Sequence, residues 1–406
     1  MKILIIRNIP TYMEIQNNSY NIQEIGLAKA LVRRGEECDV LFWTSEEEKE
    51  MIIPVYVYPE EQEQRKEVGM VHVYYRHGKS ILKNAVFTRC YDLFSSYDVL
   101  QPCEYNQMQS WILSGKYPHK TIIYHGPYYS SFNTRYNLMC RVFDAFFLKR
   151  YEKKGTRFMA KSRLAEDFLV QKGIAKKNVA CVGVGMDTQM LSRDSKVPKC
   201  DTGLEKAGTQ GKVFDAMKQN QDGVKVLYIG RVEERRNIPF LIDCFNELRK
   251  KIPSAMLYMI GTGDREYLES AFSYMKETGA EDHIIWQEKA EQKDLSMIYR
   301  MADFFLLPTK YEIFGMVLLE AMYYGNVVLT TNGGGASQLI ENGENGFILS
   351  AEDPKTWAEC MCNVLAHTDR KEAIRKKAHE TIRDQYTWDD RAPLFIEQYR
   401  SLLDES

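Results

Sequence analysis

Short apolar runs alternate with amphipathic helical stretches along most of this chain, and the alternation breaks off once and starts again. That rhythm constrains the fold more than any other feature. The first round opens at the N-terminus, where residues 2–6 form an apolar run of strand length. A helix is predicted over 22–34, with Ile25, Ala28, Leu31 and Val32 on one face and Gly35 at its end. Strands are predicted at 40–43, 71–75, 99–100, 121–124, 158–160 and 179–182, and 60–66 reads as an exposed loop or short helix. From 191 to 223 the pattern fades, with Pro198, Gly203, Gly208 and Gly211 as breakers and a helical turn over 213–217.

The second round then runs strand 224–229, helix 238–250, strand 255–260, helix 267–278, strand 284–286, helix 293–301 and strand 304–307. Further strands follow at 327–330 and 346–349. Strands that are apolar along their whole length are buried on both faces, as in parallel sheets covered by helices. The chain therefore reads as an α/β protein with two Rossmann-like, doubly wound parallel-sheet domains facing a central cleft. They are expected over 1–190 and 223–385, with a linker at 191–222. A last helical pattern in 386–406 carries Trp388, Phe395, Tyr399 and Leu402 after the second sheet is complete, so it is expected to cross back to the first domain.

In open α/β sheets, ligands bind at the carboxyl ends of strands. The stretch 308–320, PTKYEIFGMVLLE, begins there. It reads as strand end, polar turn with Glu312, Gly315, and then a helix on which Met316, Val317, Leu319, Met322 and Tyr323 recur at helical spacing. Glu320 lies on that helix, eight residues after Glu312. A helix N-terminus suits phosphate through its unpaired N–H groups and partial positive charge. The two acids could hold the hydroxyls of a ribose and of a sugar; each alone would equally suit a solvated surface acid.

Four other clusters share such positions. Gly230 and Arg231, with Arg235 and Arg236, open the helix after strand 224–229. Guanidinium groups there could clamp a diphosphate bidentately. A solvated basic face is the alternative, though cations are unfavourable at a helix start unless an anion answers them. Gly261 and Gly263 form a close-approach turn, GTGD, after strand 255–260. His125, followed by Gly126 and Pro127, ends strand 121–124 and could face a ligand. The glycine-rich loop 332–337, NGGGAS, either lets amides approach a ligand or merely turns the chain. Apart from these, 135–161 interleaves Arg135, Arg141, Lys149, Arg150, Lys153, Lys154, Arg157 and Lys161 with Phe143, Phe146, Phe147 and Tyr151. It reads either as a basic amphipathic helix for an anionic membrane or as a core-facing aromatic stripe with a solvated face.

Composition narrows the function classes. The chain has 406 residues, 27% charged, with a net charge of −2, which argues against nucleic-acid binding by bulk charge. Nine cysteines without a CxxC pair suggest reduced thiols in a cytoplasmic protein. No apolar stretch approaches the roughly 18–20 residues of a membrane span, and the N-terminal run is too short for a signal peptide. The expectation is a soluble protein, or one peripheral at the inner membrane face. No histidine pair has metal-ligand spacing; neither a metal nor a cofactor is expected.

Taken together the motifs resemble glycosyltransferase family 4, retaining GT-B enzymes that use nucleotide sugars. GRVEERRN, IGTGD, EIFGMVLLE with AMYYG, NGGGASQLI and ENGENGFIL carry the likeness over 224–354. LAKALVRRGEECDV, YHGP, AKS and GVGMD extend it more weakly through the first half. The resemblance implies that Arg231 and Arg236 contact the donor diphosphate, with Arg236 standing where the family usually has lysine. It implies Glu312 on the transferred sugar and Glu320 on the ribose. Backbone N–H groups around Phe314, Gly315, Met316 and Val317 would meet the sugar and phosphates, and His125 would lie near the sugar's reactive face. The family's Gly-Gly loop after the first strand falls near Asn18 and Ser19, where glycine is absent but polar contacts are available.

The implied reaction is retaining transfer of a hexose-type unit from a nucleoside diphosphate sugar to a hydroxyl of a saccharide or lipid-linked saccharide, in polysaccharide or glycolipid synthesis. A GT-B sugar-nucleotide epimerase and a non-catalytic nucleotide-sugar-binding subunit are the alternatives.

Overall fold

The computed structural model describes residues 1–10, 22–57, 66–81, 84–188, 211–290 and 292–405. Expectations placed on Asn18, Ser19, most of 60–66 and most of the 191–222 stretch lie outside them. The chain divides into two compact units, Met1–Asp187 with Tyr386–Ser406, and Thr188–Gln385.

The first unit contains β1 (Lys2–Arg7), β2 (Glu37–Thr44), β3 (Lys49–Val57) and β4 (Lys66–His77). A small hairpin of β5 (Lys79–Ile81) and β6 (Asn84–Val86) follows, then β7 (Val99–Pro102), β8 (Ile122–His125), β9 (Arg157–Ala160) and β10 (Val179–Cys181). The main sheet has the order β3-β4-β2-β1-β7. Parallel bridges Leu100–Thr121 and Cys103–Tyr124 connect β7 to β8, which begins the order β8-β9-β10. Within these two sheets every pairing is parallel except β3 with β4. Ile3 to Ile6 are almost wholly buried, as a central strand covered on both faces requires.

β3 is a strand that the apolar pattern does not predict. Residues 50–54 alternate between exposed and half-buried, the strand contains Pro54, and it lies at the sheet edge, where a missing N–H is tolerated. The 135–161 stretch also differs from a single amphipathic run. It forms helix Thr134–Phe143, a π-turn Asp144–Leu148 and helix Lys149–Lys154, which Gly155 ends in a left-handed conformation before β9 begins.

The C-terminal helix Trp388–Asp404 belongs to this first unit. Thr387 and Asp390 close a capping box at its start, and Tyr386 and Trp388 exchange backbone hydrogen bonds with Met186. Arg33 donates bidentately to Asp389 at 2.7 and 2.9 Å. Trp388, Phe395 and Tyr399 are at most 1% exposed, each burial worth about 1.5–3 kcal/mol at most.

The second unit is a six-stranded, wholly parallel sheet: β11 (Lys225–Ile229), β12 (Met256–Ile260), β13 (Ile284–Gln287), β14 (Phe304–Leu307), β15 (Val327–Thr330) and β16 (Phe347–Ile348). Their order is β13-β12-β11-β14-β15-β16. β14 and β15 are buried at every residue, as their unbroken apolar composition demands. β16 is shorter than 346–349, and the glycine-rich loop leads into a short helical turn over Ala336–Leu339. The turn expected at 213–217 is part of helix Lys212–Gln219, held by a bond from the Val213 N–H to Gln287 Oε1 at 3.0 Å.

Candidate functional site

In the second unit the chain runs β11, β12, β13 in one direction and then returns to place β14 on the other side of β11. The reversal point lies between β11 and β14, and their carboxyl-end loops leave side by side there. One loop carries Arg231, Arg235 and Arg236; the other carries Thr309, Glu312 and Gly315. The two are laced together. The Lys310 N–H donates to the Arg235 carbonyl at 2.7 Å, the Thr309 hydroxyl donates to the same carbonyl at 3.0 Å, and Arg235 Nη1 donates to the Tyr311 carbonyl at 3.2 Å.

Their charged groups interlock too. Arg236 Nη1 donates to Glu312 Oε2 in a pair with both side chains about nine-tenths buried. Arg235 stands 3.6 Å from the same carboxylate and 2.5 Å from Glu233. Arg231, whose side chain is 63% exposed, lies 3.5 Å from Glu233. Among the described residues the buried Arg236 Nε has no hydrogen-bond partner. One arm of Arg236 thus holds Glu312, while its Nε donor is left over among the described residues.

Gly315 takes φ +87°, a left-handed conformation suited to glycine, and turns the chain into helix Met316–Tyr323. Among the described residues no side chain caps that helix start, whose first turn holds the amides of Met316 and Val317. Phe314 is buried at 2% exposure. The glycine-rich loop reaches this turn through the Gly334 N–H, which donates to the Glu312 carbonyl at 3.0 Å.

Glu320 lies on the helix that Gly315 opens. It is 4% exposed and accepts a hydrogen bond from the Tyr299 hydroxyl at 2.8 Å, so it is neither a solvated acid nor an open one. Gly261 and Gly263 make their close approach to the protein's own backbone. A Cβ at Gly261 would come within 1.7 Å of the Gly230 carbonyl oxygen, and one at Gly263 within 1.9 Å of that of Val232. Both therefore seat the segment that carries Arg231.

His125 lies in the first unit, at the end of β8, and its ring is fully buried rather than facing outward. Tyr105 meets it edge-on at 5.2 Å and Phe168 stacks on it at 5.3 Å. Nδ1 is 2.6 Å from Glu104 Oε2, and the buried Nε2 has no partner among the described residues. Glu104 is the residue that sequence reasoning missed. It is a non-glycine residue at φ +61°, buried, and it also accepts the Gly126 N–H at 3.2 Å, with Lys161 Nζ 3.9 Å away. Burial pushes its pKa up, but the His125 hydrogen bond, the His125 and Lys161 charges and the Gly126 N–H together hold it below the usual glutamate value. An ionised Glu104 assigns the His125 proton to Nδ1. An acid just past the short β7, at a strand's carboxyl end, was the available signal. Beside this group, Arg7 and Glu24 pair at 2.8 Å; burial raises the Glu24 pKa, and the Arg7 and Lys161 charges bring it below its usual value.

Among the described residues no group of three or more His, Cys, Asp or Glu side chains could hold a metal ion, and no helix is long and apolar enough to cross a membrane. The described cysteines are free thiols.

Residues 210–381 match the family model for glycosyl transferases group 1. Spore coat protein SA of Bacillus subtilis is 28% identical over 170 residues, 40% of this chain and 45% of that protein. A D-inositol 3-phosphate glycosyltransferase of Paenarthrobacter aurescens is 25% identical over 184 residues, 45% of each. The chain thus spans less than half the length of these relatives. Among solved structures, Anabaena HepE in complex with UDP matches with a TM-score of 0.70 and 15% identity, over 99% of this chain and 100% of that one. A sucrose-phosphate synthase of Thermosynechococcus elongatus matches with a TM-score of 0.70 at 15% identity, with both chains fully covered. The fold is GT-B, and residues 210–381 resemble the group 1 glycosyltransferase domain.

Proposed function

We propose that this protein is a retaining glycosyltransferase that moves a hexose-type sugar from a nucleoside diphosphate sugar to an acceptor hydroxyl, in polysaccharide or glycolipid synthesis. The observation that carries this reading is Arg235 and Arg236 gathered on Glu312, with Arg231 beside them on Glu233, next to the helix start at Gly315 and at the sheet's reversal point. As the glycosidic bond breaks, the departing diphosphate gathers negative charge. The exposed Arg231, the unpartnered Nε of Arg236 and the amides of Met316 and Val317 would stabilise it. Arg236 would act on both sides of that bond, with Nη1 steadying Glu312 toward the sugar while Nε meets phosphate.

Glu320, held by Tyr299, would accept from the ribose hydroxyls. Gly261 and Gly263 support the Arg231 segment and so act on the donor indirectly. His125, oriented by Glu104, would serve the sugar's reactive face. Attack of the acceptor hydroxyl from the leaving-group side is the preferred route to retention, and neither a cofactor nor a metal is called on.

Names among the relatives include a D-inositol 3-phosphate glycosyltransferase and GDP-mannose-dependent mannosyltransferases, and HepE binds UDP; these support the donor class while leaving base and sugar open. A saccharide, free or lipid-linked, is the acceptor class, and a lipid-linked one would bring the protein to the inner face of a membrane. The test is transfer and product anomer analysis with a panel of nucleoside diphosphate sugars. Arg231→Ala, Glu312→Ala and Glu320→Ala should each lower transfer by about 100-fold or more while the chain stays folded. Full activity in all three would overturn the assignment.

A further inference from the structure

The helix that opens the 134–154 stretch has two apolar faces, and the core needs only one. Cys140, Phe143 and Tyr151 point inward, joined by the partly buried Tyr136, Phe147 and Leu148, against Tyr105, Phe158 and Phe168. On the opposite side Leu138 is 61% exposed, Val142 55% and Phe146 77%, with Met139 beside them at 36%. Residues 138, 142 and 146 are spaced one turn apart, so they form a single stripe rather than scattered exposed side chains. Nothing in the inner packing calls for a phenylalanine at 146.

The charges around the stripe are mostly of one sign. Arg135 and Arg141 flank its first half; Lys149, Lys153 and Lys154 follow its end, and all five are exposed. Arg150 lies over the Trp111 ring at 4.0 Å. The acids on the same stretch are Asp144, which is engaged inward by Lys172 and the Tyr105 hydroxyl, and Glu152. Six cations against two acids stand out in a chain whose net charge is −2.

We infer that this face docks on an anionic lipid surface, with Leu138, Val142 and Phe146 entering the headgroup–acyl boundary and the flanking cations meeting lipid phosphates. An apolar stripe bordered by lysine and arginine is complementary to such a surface, which is negative at headgroup level and apolar just beneath. A second copy of this chain fits less well, because a two-fold contact through the stripe would set the same cations against each other. The inference deepens the membrane part of the proposed function and does not depend on sugar transfer.

The experiment is co-sedimentation of the full chain with phosphatidylcholine vesicles, with and without phosphatidylglycerol. The wild-type protein should bind the anionic vesicles and hardly bind the neutral ones, and binding should fall steeply as salt rises above about 0.1 M. Leu138→Ser/Phe146→Ser and, separately, Arg135→Glu/Lys149→Glu should each weaken binding about tenfold or more, with unchanged far-ultraviolet circular dichroism. Absent or salt-independent binding, equal binding to both vesicle types, or retention of binding by both variants would overturn the inference. So would a concentration-dependent dimer that Leu138→Ser/Phe146→Ser abolishes. Nucleotide-sugar turnover of the same variants with a water-soluble acceptor reads the transfer reaction separately, so failure of either reading is distinguishable from failure of the other.

Discussion

Removing the Glu312 carboxylate should destabilise the second unit more than removing the Arg236 guanidinium. Their side chains are 11% and 10% exposed, so the pair counts as buried. Breaking a buried pair by deleting one partner costs about 3–5 kcal/mol, because the survivor keeps an uncompensated charge. The two deletions leave different survivors. Without Glu312, the Arg236 fork has lost its anion while its Nε already lacks a partner; Arg235 retains Glu233 at 2.5 Å. Without Arg236, Glu312 still has Arg235 at 3.6 Å. Glu312→Ala should therefore cost about 3 kcal/mol and Arg236→Ala about half of that. For a unit of this size, each kcal/mol shifts the midpoint by about 2–4 °C, so Glu312→Ala should lower it by roughly 6–12 °C. Scanning calorimetry of the two single variants and the double variant is the assay. The double variant should be less destabilised than the sum of the singles by about 1–2 kcal/mol. Equal losses in the two singles, or strict additivity in the double, would refute the argument that Arg235 shares the anion.

Two further outcomes follow from the first unit. Glu104 and Glu24 are both held below the usual glutamate value, so the stability each contributes is present above the unfolded carboxylate pKa and is lost as pH falls through the lower folded one. Glu104→Gln should accordingly flatten the acid side of a urea-midpoint profile taken over about pH 3 to 7, and an unchanged slope would contradict the assigned ion pair. Trp388→Ala removes a side chain that is 1% exposed and packed against Gly26, and should cost about 3–5 kcal/mol and expose the C-terminal helix to limited proteolysis. A change under about 1 kcal/mol would mean that the helix is held by Arg33–Asp389 and its other contacts instead.

Much of the fold was legible in the chain because its information is local. A run such as Phe304–Leu307, four residues long and apolar at every position, reads as a strand covered on both faces, and β14 is buried throughout. Gly315 followed by helical periodicity marked a helix start that the structure places directly beside the arginine loop. β3 was not legible, because an edge strand exposes alternate residues and tolerates Pro54, leaving no continuous apolar signal. Nor was Glu104, since its left-handed backbone and its bond to His125 depend on β7 and β8 lying together.

Residue type and order alone determined the two rounds of βα units, the helix start at Gly315 and which side chains could bind phosphate or sugar. Only the tertiary structure decided which of those side chains meet. Arg236 and Glu312 are 76 residues apart, and they pair because β14 returns to lie against β11. His125 was visible as a strand-end histidine, but Phe168 and Tyr105 bury it and Glu104 sets its proton. The physical reason is the range of the forces. Hydrophobic periodicity is set by neighbours within a turn or a pleat, whereas ion pairing and desolvation depend on groups that only the order of strands in the sheet brings within a few ångströms.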